Sequence, residues 1–163
     1  MLELIELGAT PLADGGRYRF RLWAPRAEAV ELLLLEPDRV VPMAPELDGY
    51  FHVDAEAHAG ARYRYRLDGD DELPDPASRW QPEGVHGPSA LVDPAAFAWT
   101  DDGFRAPPLA EHAIYELHVG TFSEAGTFEG AIERLADLAE LGISAIEIMP
   151  VAQFPGARNW GYD

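Results

Sequence analysis

The stretch Arg17-Tyr18-Arg19-Phe20-Arg21-Leu22-Trp23 alternates residue by residue. Tyr18, Phe20 and Leu22 fall on one side, Arg17, Arg19 and Arg21 on the other. Successive side chains of a strand point to opposite faces, so this period of two predicts a strand with one buried face. Asp14-Gly15-Gly16 ahead of it supplies turn residues and Ala24-Pro25 ends it. The pattern returns at residues 62–67, where Tyr63, Tyr65 and Leu67 alternate with Arg62, Arg64 and Arg66. Between the two lies an apolar run, Val30 to Leu35, suited to a strand buried on both faces. Tyr50 to Val53 follows the turn signal Asp48-Gly49, and Asp68-Gly69 turns the chain again. Short strands punctuated at this spacing predict a β-sandwich of roughly 100 residues.

Beyond the sandwich the character changes. Pro74, Pro76, Pro82, Pro88, Pro94, Pro107 and Pro108 punctuate residues 70–111, and proline at that density forbids long helices and central strands. An ordered connection with one short strand at Ala90 to Val92 is expected. After His112 the grammar switches again. Ile114 to Val119 reads as a strand, Thr127 as a helix N-cap, and Phe128, Ile132, Leu135, Leu138 and Ala139 recur at helical spacing. Gly142 suits the left-handed position past a helix end. Ile143 to Met149 is a second apolar strand, closed by Pro150. Strand, helix, strand in this order is a βαβ unit, which needs parallel pairing.

Composition narrows the partners. The 163 residues carry 29 acids against 12 bases, a formal net charge of -17, and every base is Arg. So acidic a chain repels phosphate backbones and anionic bilayers, which argues against nucleic acid and membrane as partners, whereas a neutral sugar meets no such repulsion. Without Cys there is no disulfide and no thiolate metal site. No uncharged apolar run approaches a membrane span, and the N-terminus carries acids where a secretion signal needs bases. A cytoplasmic location is expected.

Phe20-Arg21-Leu22-Trp23-Ala24-Pro25, with Ala27 and Val30 following, resembles the N-terminal Ig-like domain of branching and debranching enzymes of the α-amylase superfamily. Tyr115-Glu116-Leu117-His118-Val119-Gly120-Thr121-Phe122 resembles the first barrel strand of those enzymes. The segment from Thr127-Phe128-Glu129-Gly130 to Leu141-Gly142-Ile143 is similar to their first helix, and Ile146-Glu147-Ile148-Met149-Pro150-Val151 to their second strand. Asn159-Trp160-Gly161-Tyr162-Asp163 resembles the loop that follows. Within the superfamily the trehalohydrolases acting on maltooligosyltrehalose fit best, on the long segment from Leu73-Pro74-Asp75-Pro76 through Trp80-Gln81-Pro82 to Gly87-Pro88-Ser89. Glycogen branching enzymes share the other blocks and usually differ here.

The resemblance implies an all-β Ig-like β-sandwich at residues 1–95, a Pro-rich connection at 96–111, and at 112–163 the opening βαβ unit of a (β/α)8 barrel. Such a barrel needs about 250 residues, so the chain is expected to be incomplete. Ile132, Leu135, Leu138, Ile146 and Ile148 then lack cover, which makes self-association through the incomplete barrel an expectation. The implied reaction is hydrolysis of the α-1,4 bond joining a maltooligosaccharide to a terminal trehalose, by a retaining mechanism with paired carboxyl groups. In the family's chain order those acids lie on later strands, so no catalytic residue is expected here, and no cofactor or metal. Tyr162 matches the family tyrosine that stacks under the sugar at the cleavage point, and Asp163 is the adjacent polar candidate for substrate binding. A branching or debranching enzyme remains the alternative, as does a non-catalytic α-glucan-binding module.

Several residues have plainer readings. Trp160 reads as packing, and Trp80 and Trp99 as interface packing rather than a glucan surface. Glu116 and His118 share a face of the first strand, opposite Leu117, and read as ordinary barrel polarity ahead of pocket lining. Asp68, Asp70, Asp71 and Glu72 lack the EF-hand spacing and read as a solvated acidic turn. His52, His58, His86 and His112 show no zinc-ligand spacing. The Arg rows read as solvent-facing stripes that offset the acidic surface.

Overall fold

Residues 6–13 and 15–159 are described by the computed structural model. The chain divides into two compact units, Met1–Ala98 and Trp99–Asp163, each taken by itself below.

The first unit is a pair of antiparallel sheets. One has the strand order β1-β2-β6-β5, from β1 (Gly8–Pro11), β2 (Arg17–Trp23), β5 (Ala44–Pro45) and β6 (Tyr50–Glu56). The other runs β4-β3-β7-β8, from β3 (Val30–Leu35), β4 (Asp38–Pro42), β7 (Arg62–Leu67) and β8 (Asp71–Leu73), with β9 (Ser89–Ala90) also on β7. The alternation of β2 and β7 is what fills the space between them. Tyr18, Phe20 and Leu22 of the first sheet and Tyr63 and Tyr65 of the second are all buried, together with Leu32 and Leu34 of β3. Phe20 meets Tyr63 edge to face across the sandwich, with ring centroids 5.2 Å apart, and Tyr63 meets Tyr65 at 5.8 Å. Such edge-on geometry is what ring quadrupoles favour. Leu32, Leu33 and Leu34 are all buried, as expected for a strand covered on both faces.

The Arg rows point outward, and they are paired rather than merely solvated. Arg19 forms a two-pronged bond to Asp54 on the neighbouring strand, both contacts 2.8 Å. That bond holds the Asp54 carboxyl below its ordinary range. Arg66 bonds Glu31 at 2.8 Å, and Arg62 bonds Glu36 at 2.7 Å and Glu83. These pairs are at least partly exposed, so they set register more than they stabilise.

The acidic turn after β7 is exposed from Asp68 to Glu72, as expected of a solvated turn, and one of its carboxylates also has a local task. Asp68 sits in the left-handed region at φ 51°, and its Oδ1 accepts from the backbone N–H of Glu28 (2.8 Å) and of Ala29 (2.9 Å). That carboxylate, itself exposed, ties the entry of β3 to the exit of β7. The short strand expected at Ala90 to Val92 lies at Ser89–Ala90.

The second unit holds β10 (Ile114–Leu117) and β11 (Ala145–Ile148), paired in parallel with Ile114 opposite Ala145 and Leu117 opposite Ile148. Three boundaries depart from the sequence reading. The first strand stops at Leu117, because Val119–Phe122 turns into a short helix, α1. The single helix expected after Thr127 is two segments, α2 (Phe128–Ile132) and α3 (Leu135–Glu140). Arg134 takes φ -101°, ψ -2° there, and its N–H reaches back three residues to Ala131 instead of four. The second strand begins at Ala145 because Ser144 and Ala145 donate backwards to the Ala113 carbonyl. The caps are as read: the Thr127 hydroxyl accepts from Gly130 N–H at 3.2 Å, and Gly142 has φ 95°. No helix among the described residues is long and apolar enough to cross a membrane.

Candidate functional site

In a parallel pair both strands end on the same side, and sites on parallel sheets gather at those carboxyl ends. His118 directly follows β10, and Met149, Pro150 and Val151 follow β11. These residues, with Phe128, Phe154, Arg158 and Asn159, line a hollow of about 780 Å³.

His118 organises its wall. Its Nε2 lies 2.9 Å from the Asn159 carbonyl oxygen, and since a carbonyl only accepts, Nε2 carries the proton. Nδ1 is the ring's other nitrogen. It packs against Gly120, where an added Cβ would lie 3.0 Å from the ring's Cε1, so glycine at that position admits the ring. The bond spans 41 residues and ties the end of the first strand to Asn159. His118 is hydrogen-bonded, as its plainer reading has it, and also lines the hollow; Glu116, its companion in the sequence, is exposed on the strand and does not line it.

Glu129 is the single carboxylate among the described lining residues. Glycoside hydrolysis in most families needs two carboxyl groups facing each other across the sugar, so the described part of the hollow offers a binding wall and no acid pair. Among the described residues there is also no group of acids and histidines placed to hold a metal ion. Tyr162 and Asp163, the substrate-binding residues expected from sequence, lie outside the described residues, as does Trp160. Trp80 and Trp99 are 49% and 69% exposed.

The first unit holds a second feature, a buried polar node built by the segment from Leu73 to Ser89. Asp75 is 2% exposed. Its Oδ2 accepts from the Tyr63 hydroxyl at 2.7 Å and from the Tyr65 hydroxyl at 3.4 Å, and its Oδ1 from Ala77 N–H at 2.7 Å. Ser89, fully buried, accepts from Asp75 N–H at 3.0 Å. Burial pushes the Asp75 carboxyl above its ordinary range against the opposing pull of those donors. Burial also raises both tyrosine hydroxyls, which keeps them protonated as donors. The node pins the irregular segment to the sandwich, and Asp75 also lines a hollow of about 210 Å³ with Arg21, Leu22, Trp23 and Pro76.

The geometry can be set beside known proteins. Residues 6–95 match carbohydrate-binding module 48, described as the isoamylase N-terminal domain. The chain belongs to this family. Outside the module the likeness continues. Malto-oligosyltrehalose trehalohydrolase of Saccharolobus solfataricus is 49% identical over 145 residues, which is 88% of this chain and 26% of that protein. The trehalohydrolase of Deinococcus radiodurans is 44% identical over 157 residues, 96% of this chain and 26% of its own length. The chain thus spans about a quarter of the curated relatives it matches. A branching enzyme of Xanthomonas euvesicatoria is 32% identical over 182 residues. Among solved structures, a candidate alpha amylase of Salmonella typhimurium superposes with a TM-score of 0.89 at 42% identity, over 99% of this chain and 27% of that one. The carbohydrate-binding module is therefore accompanied by a stretch that is also similar to trehalohydrolases.

Proposed function

We propose that this chain is the N-terminal part of a glycoside hydrolase that releases trehalose from maltooligosyltrehalose by hydrolysing an α-1,4 bond. The observation that carries the reading is the difference in identity, 40–49% to the trehalohydrolases against 32% to a branching enzyme. We read the segment from Leu73 to Ser89 as the part of the chain that separates the two groups.

On this reading residues 1–95 are the module, 96–111 a connection, and 112–163 the opening of a (β/α)8 barrel, with β10 and β11 as its first two strands. Ile132 (64% exposed), Ile146 and Ile148 await the remaining barrel elements, and self-association covers them when this chain stands alone. The hollow behind His118 becomes one wall of the sugar cleft, with Tyr162 as the platform under the sugar and Asp163 beside it. An aromatic face suits a pyranose because it meets the apolar C–H side while hydroxyls bond at the rim. The attacking carboxylate and the protonating carboxyl group would come from later strands. The enzyme would act in the cytoplasm, in trehalose biosynthesis. The module itself is read as handling α-glucan, in keeping with its family's description.

Two assays test this reading. The 163-residue chain incubated with maltooligosyltrehalose or soluble starch is expected to hydrolyse neither. In the chain extended to the length of its relatives, Tyr162→Ala should lose roughly 1–3 kcal/mol of transition-state stabilisation, the scale of apolar pocket discrimination. Turnover by the short chain that responds to mutation of its own acids, or an unchanged rate in Tyr162→Ala, would contradict it.

A further inference from the structure

The ladder between β10 and β11 runs one step past its strands, because the Met149 N–H donates to the Leu117 carbonyl at 3.0 Å. His118 is the next residue along, and its backbone is held from the other side. Its carbonyl accepts from the Thr121 and Phe122 N–H groups, both at 3.0 Å, in the first turn of α1. The imidazole therefore leaves from a fixed point, and on a fixed backbone its staggered rotamers are few. Gly120 leaves room for it: an added Cβ there would lie 3.0 Å from Cε1 and 3.4 Å from Nδ1. Nδ1 is buried and meets no hydrogen-bond partner among the described residues. The ring's described bond is the one from Nε2 to the Asn159 carbonyl.

Beyond β11 the chain loses regular structure. Residues 149–159 form no helix or strand. Pro150 and Pro155 remove two N–H donors, and Gly156 takes φ 90°. Neither a ladder nor a helix fixes the path of such a segment, so that path depends on contacts with the elements around it. The Nε2–H bond supplies one at 2.9 Å, from a strand end 41 residues away in the chain. It reaches the main chain of the loop, so it fixes where the backbone itself passes. Tyr162 follows Asn159 by three residues in the sequence.

We propose that His118 is a positioning residue for the hydrolysis: its imidazole holds the backbone at Asn159 against the end of the first strand, and so sets where the chain enters the cleft on its way to Tyr162 and Asp163. The proposal rests on the reading of this chain as the front of a trehalohydrolase. His118 lines the hollow, yet the described bond of its ring is to its own main chain, so it acts on the substrate through the loop. Two replacements separate the bond from the packing of the ring. Phe keeps a ring and has no donor; Gln has no ring and keeps an N–H at the reach of Nε2.

The first test needs no activity. The Arg158–Asn159 bond is a trypsin site with an exposed Arg158. A protease must free the backbone on both sides of the bond it cuts, so cleavage there reports opening of the His118 bond. In the 163-residue chain, His118→Phe should be cut after Arg158 about fivefold faster or more, the scale of one lost net hydrogen bond. His118→Gln should stay near the wild-type rate, and cuts after Arg105 and Arg134 should change in neither. If His118→Phe loosens the whole chain, His118→Asn, whose amide is too short to reach, takes its place under the same criteria. Cleavage after Arg158 that is no faster without the donor, or equally fast with Gln and with Phe, overturns the proposal. The second test gives maltooligosyltrehalose to the chain extended to the length of its relatives. His118→Phe should lower kcat about tenfold or more with KM changed less than about threefold, because a small misplacement of a positioned group acts on the chemical step. His118→Gln should recover most of the rate. An unchanged kcat, or a loss confined to KM, also overturns the proposal. An extended wild type that releases no trehalose contradicts the trehalohydrolase reading instead, and the trypsin rates then still decide whether His118 holds the loop.

Discussion

Asp75 is a carboxylate almost without contact with water, held by two tyrosine hydroxyls and a backbone N–H. Burial disfavours its charge and the three donors favour it, and burial wins, so its folded-state pKa lies above the unfolded value. The folded state then binds the proton more tightly than the unfolded state. By linkage, the stabilisation from this group is fully present below the unfolded pKa and is lost as pH rises through the raised folded pKa. Asp75→Asn removes the titration. Urea unfolding of both chains across the acidic range should therefore show the difference moving against the wild type as pH rises, then levelling toward neutrality. A difference that moves in favour of the wild type with rising pH would mean that the donors outweigh burial. The sequence showed Asp75 only as one letter of a family-like segment. What makes it a node is the convergence of Tyr63 and Tyr65 from β7 with Ser89 from β9, a long-range meeting that no local pattern encodes.

At the scale of elements, the strands that were legible are those with strict alternation or a dense apolar run. β2, β3 and β7 have the bounds read from sequence, because one face of each must be buried and a slip by one residue would expose Phe20 or Tyr63. β1, β4, β5 and β8 left no such mark: they are two to five residues long, and pairing to a neighbour defines them. The break between α2 and α3 carries no Gly or Pro signal, so periodicity alone ran straight through it. Trp23 was read as part of a family-like motif; that it stays 55% exposed, with its indole Nε1 donating to the Asp48 carbonyl, became visible only once the turn Leu47–Gly49 was placed. That turn yields a prediction. Gly49→Ala forces a side chain into the left-handed region at φ 81° and against Pro25. It should cost roughly 1–3 kcal/mol in chemical unfolding, the usual scale of such strain. A change within about 0.5 kcal/mol, as for ordinary surface substitutions, would show that the turn does not hold Pro25 and the indole as described.

At the scale of the whole molecule, the chain joins a carbohydrate-binding module to a second unit whose large apolar side chains stay open to solvent. Ile114, Phe128, Ile132, Ile146 and Ile148 are each at least 40% exposed, and fully burying each such residue is worth roughly 1.5–3 kcal/mol. That exposure is physical support for further elements to cover them, as is a span of about a quarter of the relatives' length. The sequence carried this much, since the βαβ order and its uncovered helix were readable from periodicity. It could not carry the cleft, because on the proposed reading Tyr162 and Asp163 act beside acids of later strands, a long-range meeting that no local pattern encodes. The central claim is about products. The chain extended to the length of its relatives should be given maltooligosyltrehalose and, separately, amylose, and the products resolved by chromatography. Free trehalose from the first, with no α-1,6-branched glucan from the second, is the result predicted here; branched glucan from amylose without any trehalose would contradict it.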